Sequence, residues 1–490
     1  MKSSKFIFFA VVLLFSILSY VQKINISKKE ATQKPNIIYI LADDLGYGDL
    51  GVYGQEKIKT PNIDRLAKEG IQFTNHYAGQ TVCSPSRCAL MTGLHMGNAS
   101  VTRNGQLLNP DDVTVAELLK KANYTTGIIG KWGLSEGAIA DNSPNQQGFD
   151  YYFGFENQGF AHFYYPEYLW KNHTKVAYPE NLNIRDKAGK SINGNGTYSH
   201  DEFAKESLRF IKNNKDKPFF LYVPFAIPHA ELTVPEDSKK QYKDLNWPET
   251  PHKVGGGAKK GNGYGSQYTD GYCAQDKPNL TYASMISRMD KNIRKIVNLL
   301  KELGLEENTI ILFASDNGPS YEGGQDILFF NSSGGLKGKK RDLYEGGIRV
   351  PFIVKWKGKI KEGQVSNHPS AFWDFLPTAC DLAGIETPKN TDGISLLPTF
   401  LGKTETQKKH KYLYWNWEHR KKPYYEVVRV NDWKLFRITP KKGNDKTPYF
   451  ELYNLKDDAN ETNNLVTVKP ELVAKFTPYL EEQQSKKNFK

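Results

Sequence analysis

At 490 residues, with 39% hydrophobic and 13% aromatic side chains, the chain can bury a large core, which excludes a disordered or fibrous protein. Lysine and arginine outnumber the acids 66 to 54, a formal charge of +12 that draws polyanions to the surface. No zinc-finger spacing or nucleic-acid recognition motif accompanies that charge, so nucleic acid is the weaker partner and an acidic, sulfate-bearing polysaccharide fits as well.

Taken from the start, Lys2 and Lys5 precede an apolar run from Phe6 to about Tyr20, the pattern of a secretory signal. The run is short for a membrane span. Residues 1–24 therefore read as a signal peptide, cut between Ser19 and Ser27, on a protein that is periplasmic or secreted and has no stable membrane anchor. Asn36 to Leu41 is a continuous apolar stretch of strand length that ends abruptly in ADDLGYGDLG. Further on, Thr125 to Ile129 runs into GKWGL, Phe219 to Phe225 into AIPHA, and Thr309 to Ala314 into SDNGP. Each apolar run hands over to a polar cluster at its carboxyl end. Helical periodicity separates them, most clearly from Thr281 to Leu303, with Gly304 as the stop. Strands alternating with helices predict an α/β sheet covered on both faces, with its site at the carboxyl ends of the strands.

Residues 252–272 are glycine-rich and read as a surface loop. From about residue 386 lysine-rich turns separate short aromatic strands, Tyr412 to Trp417 and Trp433 to Ile438, predicting a small antiparallel sheet and a last helix near Glu471 to Gln484. The four cysteines, Cys83, Cys88, Cys273 and Cys380, permit two disulfides but show no framework spacing.

The stretch CSPSRCALMTGLHMG at 83–97 organises the rest. Pro85 suits a first helical turn, Ser84 can cap it, and Cys83 would stand at a helix N-terminus that lowers a thiol's pKa. Arg87 adds a permanent forked cation one turn in. Asp43 with Asp44, and Asp316 with Asn317, end two strands and offer the carboxylate and amide oxygens that suit calcium or magnesium. A histidine cluster for zinc is missing from the pattern. Lys131, Lys340 and His229 follow buried strands or glycine turns, and could supply positive charge and a proton to ester cleavage.

CSPSR with its downstream TG resembles the signature of type I sulfatases. ADDLGYGDLG, GKWGL, PHA, SDNG, GKKRDLYEGGIRVP, DGISLLP and ELYNLKDDANETNNL resemble further blocks of that family, in the family's order over nearly the whole mature chain. The resemblance implies an alkaline-phosphatase-like α/β/α sandwich with a smaller C-terminal antiparallel-sheet domain, the catalytic unit spanning 25–385 and the C-terminal unit 386–490. It implies that a maturation enzyme converts Cys83 to formylglycine (3-oxoalanine), whose hydrate attacks sulfur. It also implies one calcium ion on Asp43, Asp44, Asp316, Asn317 and residue 83. By the same resemblance Arg87, Lys131 and Lys340 hold sulfate oxygens and His229 protonates the departing sugar oxygen. The implied substrate is a sulfated poly- or oligosaccharide, such as ulvan, carrageenan or another galactan, or a host glycan.

One position departs from the pattern. The family usually reads GKWH, and here the histidine is Gly133. His162, in QGFAHFYYPEYLW, is the candidate replacement, and Tyr164, Tyr165, Tyr168 and Trp170 of the same insert are candidates for a sugar-stacking wall. Two other readings stand beside the sulfatase one: a phosphatase or phosphonate-ester hydrolase on the same fold, and a lectin disabled in turnover by Gly133.

Overall fold

The structure, a computed structural model, describes residues 34–182, 184–185, 196–255, 271–419, 422–443 and 445–488. The signal-peptide reading and most of the 252–272 loop therefore lie outside the described residues.

The large sheet is built from β1 (Asn36–Ala42), β2 (Ile71–Phe73), β4 (Thr125–Lys131), β5 (Tyr151–Phe155), β6 (Tyr168–Lys171), β7 (Thr174–Ala177), β8 (Phe219–Pro224), β9 (Thr309–Ser315), β10 (Phe352–Lys355) and β11 (Gln364–Ser366), while β3 (His76–Tyr77) and β12 (Ser370–Ala371) pair separately. Its order is β11-β2-β10-β9-β1-β8-β4-β5-β6-β7. The centre, β9-β1-β8-β4-β5, is parallel, and β10 and β6 turn antiparallel on either side.

Every residue of β1 is buried, with Ile37, Tyr39 and Leu41 in one core and Ile38, Ile40 and Ala42 in the other. That is why the strand reads as an unbroken apolar run: a parallel strand has no solvent face. Helices α1 (Pro61–Lys68), α4 (Ser199–Asn213) and α5 (Pro278–Glu302) cover one face; α2 (Cys83–Thr92), α3 (Val115–Lys121) and α7 (Phe375–Ala383) cover the other. Helix α5 matches the periodicity read from Thr281 onward, and starts a turn earlier because Pro278 stands in its first turn. The single turn α6 (Glu345–Ile348) completes this unit, and Phe400 of the short α8 (Leu397–Phe400) packs into its core.

The C-terminal unit is a four-stranded antiparallel sheet, β13 (Leu413–Trp417), β14 (Tyr424–Val430), β15 (Trp433–Thr439) and β16 (Tyr449–Asn454), followed by α9 (Pro470–Asn488). Alternation divides it. Tyr414, Val428, Leu435 and Leu452 pack on Phe476 and Leu480 of α9, whereas Trp415, Trp417, Val427, Phe436 and Ile438 join the core of the large unit. Among the described residues, no helix is long and apolar enough to cross a membrane. All four cysteines are buried and free, so neither permitted disulfide forms.

Candidate active site

The carboxyl ends of β1 and β9 lie side by side, because Ala42 pairs with Ser315 and the Asp316 amide donates to the Ala42 carbonyl at 3.0 Å. Asp43, Asp44, Asp316 and Asn317 thereby meet in one buried group. Just after β1, a side chain at Gly46 would have its Cβ 2.1 Å from the Ser332 carbonyl oxygen, so the turn closes only on glycine.

Helix α2 enters from the other side with all ten residues buried. Cys83 is its first residue, and its Sγ donates to Asp43 Oδ1 at 3.2 Å. Two expectations fail here. Ser84 does not cap the helix: Val82 is the N-cap, and the Ser84 hydroxyl turns to Gln158 Oε1 at 3.2 Å. Nor is the thiol acidified. Burial, then the neighbouring Asp316 and Asp43 carboxylates, push Cys83 well above the ordinary thiol range, against Lys131 and Lys340. A helix terminus is a weaker field than two carboxylates in contact.

Arg87 lies one turn further in. Its Nε and Nη2 donate to Asp316 Oδ2 at 3.0 and 2.8 Å, and its Nη1 donates to the Lys131 carbonyl at 2.8 Å. Nη2 also stands 3.3 Å from Asp43 Oδ2. Lys131, at the end of β4, donates to Asp43 Oδ2 at 2.5 Å. Lys340 Nζ reaches Asp44 Oδ2 at 2.8 Å and His229 Nε2 at 2.9 Å. Burial works to raise Asp43, yet Lys131, His229, Arg87 and Lys340 together hold it far below the carboxylate range. Asp316 moves the other way, to about 6, through burial and then the Asp43 charge.

The residues predicted from sequence therefore come together, His162 included. Its ring stacks on that of His229 with centroids 3.8 Å apart and 21° between planes. His162 Nε2 is 3.5 Å from Lys131 Nζ, and its Nδ1 is 3.1 Å from the Tyr272 hydroxyl. Burial lowers both histidines, with His229 the next cause for His162 and Lys340 the next for His229; the pair is held neutral. Gly133 has φ +72°, a left-handed backbone suited to glycine, and a Cβ there would lie 2.5 Å from the flexible end of the Gln158 side chain.

A divalent cation fits these residues. Asp43, Asp44, Cys83 and His229 each offer one ligand atom, all within 4.8 Å of one another. Asn317 donates through Nδ2 to Asp44 Oδ1 at 2.7 Å, while its buried Oδ1 has no protein partner. An orphaned amide oxygen among carboxylates is a ready ligand for a hard cation.

Above this floor lies a cavity of about 510 Å³. His162, His229, Lys340 and Ser84 border its base, and Tyr272, Glu322, Arg341, Gln158, Asn104 and Gln106 are among the residues around it. Glu322 accepts from Arg341 Nη2 at 2.9 Å, and Lys340 and Arg341 overcome burial to hold its carboxyl at about 2. Sequence reasoning missed Glu322, Tyr272 and Arg341. The signals available were their places within four residues of SDNG and in GYCAQ, and beside Lys340. The four aromatic side chains proposed as a sugar-stacking wall do not line the cavity. Tyr164 is buried and donates to the Ala226 and His229 carbonyls, Tyr165 packs on Tyr198, and Tyr168 and Trp170 lie on strand β6, away from the cavity lining.

The sulfatase family model matches residues 35–385, and a model for the C-terminal region of N-sulphoglucosamine sulphohydrolase matches residues 338–486. The chain is 30% identical to N-acetylgalactosamine-6-O-sulfatase of Bacteroides thetaiotaomicron, with 95% of this chain and 96% of that one covered. It is 31% identical to N-acetylgalactosamine-6-sulfatase of Homo sapiens, over 83% of this chain and 74% of the human one. The crystal structure of Ps i-CgsB in complex with k-i-k-neocarrahexaose aligns with a TM-score of 0.73 at 28% identity, covering 92% of each chain.

Proposed function

The chain belongs to the sulfatase family and is a sulfuric ester hydrolase; from that premise we propose that it removes sulfate from a sulfated poly- or oligosaccharide, with Cys83 matured to formylglycine and one calcium ion bound. The observation that carries this reading is the buried group of Asp43, Asp44, Cys83 and His229, whose ligand atoms lie within 4.8 Å of one another, with Arg87, Lys131 and Lys340 on its carboxylates. Asp43, Asp44, Asp316, Asn317 and residue 83 would hold the cation. When present, the cation would offset charge on the sulfate and the matured residue 83 would supply a hydrated aldehyde in place of a thiol.

The chain's own residues then divide the work. Arg87, Lys131 and Lys340 place three cations where an incoming sulfate meets carboxylates, and in a buried site each acts at low dielectric. His229 Nε2 accepts an N–H from Lys340 at 2.9 Å while its Nδ1 faces the Ala230 carbonyl, so the transferable proton rests on Lys340 and would reach the departing sugar oxygen by way of Nε2. His162 stands beside Lys131 in the role that Gly133 leaves open: a neutral ring, oriented through Nδ1 by Tyr272, with Nε2 turned toward the site to take a proton.

The relatives are named N-acetylgalactosamine-6-sulfatases, and the Ps i-CgsB structure holds k-i-k-neocarrahexaose; both support a galactan or galactosamine-containing glycan as substrate. The +12 charge agrees with a polyanionic substrate. We further assign residues 1–24 to export, to the periplasm or outside the cell, and residues 25–385 and 386–490 to the catalytic and C-terminal units.

The test has two steps. Protein produced with a formylglycine-generating enzyme is digested, and the peptide containing Cys83 is weighed; aldehyde or hydrate in place of thiol is the expected result. Matured protein is then screened for sulfate release from sulfated galactans, ulvan and glycosaminoglycan oligosaccharides. An alkylatable Cys83 after competent maturation, with glycan bound and no sulfate released, would replace this reading with the lectin.

A further inference from the structure

A second cavity, of about 600 Å³, opens where the C-terminal sheet meets the β11 edge of the large sheet. None of its lining residues lines the catalytic cavity. Its lining carries Arg429, Lys409 and two histidines, His410 and His368, the latter lowered by burial, beside one carboxylate, Asp432.

Arg429 is the informative member. It is only 2% exposed. Its Nε donates to the Asn431 carbonyl at 2.8 Å and its Nη1 to the Tyr77 hydroxyl. Among the described residues Nη2 makes no hydrogen bond and no carboxylate lies within ion-pair distance of the guanidinium, which stands 5.0 Å from the Tyr77 ring centroid and acts on Glu345 through space; the Tyr77 hydroxyl, 2.6 Å from Glu345 Oε2, links the two. A guanidinium cannot shed its proton to escape burial, so a buried one without a direct carboxylate is costly unless an anion meets it. His410 also lines the cavity, paired with a carboxylate behind it. Its Nε2 lies 2.7 Å from Oδ1 of the buried Asp374, and that carboxylate outweighs burial and raises the imidazole. The exposed Asn367 adds an amide group at the mouth, a donor of the kind that sulfate oxygens and sugar hydroxyls accept, whereas Gln407 spends its amide on the Ser395 and Lys408 carbonyls.

We propose that this cavity is an oxyanion site that holds a sulfate group on a stretch of glycan away from the ester being cut. The ligand class rests on the sulfatase reading above. The site would keep a sulfated chain on the enzyme between cleavages, with charge-assisted hydrogen bonds that weaken as salt rises.

The experiment measures binding apart from turnover. The Cys83→Ala protein is titrated calorimetrically with short dextran sulfate, with unsulfated dextran and with inorganic sulfate. Each titration is repeated after adding Arg429→Gln or Asn367→Trp; the latter fills the mouth of the cavity from an exposed position and leaves the Arg429 contacts alone. Dextran sulfate should bind and dextran should not, and each added substitution should weaken dextran sulfate by about tenfold. Asn367→Trp in the otherwise unaltered enzyme should leave hydrolysis of a small aryl sulfate within about twofold. Unchanged dextran sulfate affinity in both variants overturns the site. Inorganic sulfate sensitive to both substitutions, with dextran sulfate insensitive, overturns the glycan assignment in favour of free sulfate. Variant-sensitive dextran sulfate binding by a matured enzyme that releases no sulfate would sink the catalytic reading and leave this one standing.

Discussion

Replacing His162 separates a catalytic ring from a packed one. If His162 moves a proton during turnover, His162→Ala should lower kcat by about 10² to 10⁴ with KM little changed. Sulfate release at the wild-type rate would remove it from the mechanism. Restoring the family's histidine at position 133 should not rescue that loss, since a side chain there meets Gln158 and a left-handed backbone costs a non-glycine residue about 1–2 kcal/mol. This exchange was half legible from sequence. The missing histidine was visible at Gly133, and His162 stood out as a histidine in an aromatic insert. Its stacking on His229 joins residues 67 positions apart through a turn, which no local pattern reports. Glu322 and Arg341 were hidden for the same reason: exposed-looking charges in glycine-rich segments become a cavity wall only once two loops converge. Cys83 shows the opposite error. Local helix geometry argued for an acidic thiol, and carboxylates from two distant strands reverse it.

At the scale of elements, the strand ends were the most legible part. β1, β4, β8 and β9 are buried on both faces, so their apolar runs mark both the sheet and the places where polar residues must begin. The turn after β1 also carries a pH-sensitive group. Asp49 is buried, accepts from the Gly46 amide and the Tyr282 hydroxyl at 2.7 Å each, and is pushed up to about 7 by burial, against those hydrogen bonds. Its ordinary unfolded value is about 3.9. Between these values the folded state binds the proton more tightly, so this group's contribution is full below the unfolded value and is lost as pH rises toward 7. The slope reaches about 1.4 kcal/mol per pH unit. Asp49→Asn should flatten the pH dependence of the urea midpoint across that window; an unaltered profile would show that Asp49 ionises freely in the fold.

The whole molecule depends on how its two units are joined. Lys434 of β15 is fully buried, with Nζ 2.9 Å from Glu345 Oε1 in α6 and 2.9 Å from Glu461 Oε1. One ammonium thus serves two carboxylates. Lys434 and then Arg349 outweigh burial and hold Glu345 at about 2, while burial lifts Glu461 to about 7 with the Glu345 charge adding to it. Lys434→Met removes the shared ammonium, leaving Glu461 without its cation and Glu345 with Arg349 at 3.4 Å, and should cost about 3–5 kcal/mol by chemical denaturation. A loss below about 1 kcal/mol would mean that the joint opens to water. Metal removal reads the other end of the assembly. If calcium binds the folded state alone, calcium at a hundred times its Kd adds about 2.7 kcal/mol, seen as a raised Tm that a chelator reverses. An unmoved Tm would refute calcium as the resident ion. Sequence texture gave the strands at Tyr412 to Trp417 and Trp433 to Ile438, which match β13 and β15, but no sign that one face of that sheet completes the core of the first unit.

That shared face bears on the order of events during synthesis. Strand β13 braces the segment around Cys83: Trp415 Nε1 donates to the Ala78 carbonyl at 3.0 Å, Asn416 Nδ2 to the Met96 carbonyl at 3.0 Å, and Gln80 Nε2 to the Asn416 carbonyl across 336 positions of chain. Cys83 itself is 0% exposed in the finished fold. A ribosome releases β13 long after Cys83 has emerged, so this brace is absent for most of translation. Until β13 docks, the segment that carries Cys83 lacks these three hydrogen bonds, and a cysteine-modifying enzyme meets it without that brace.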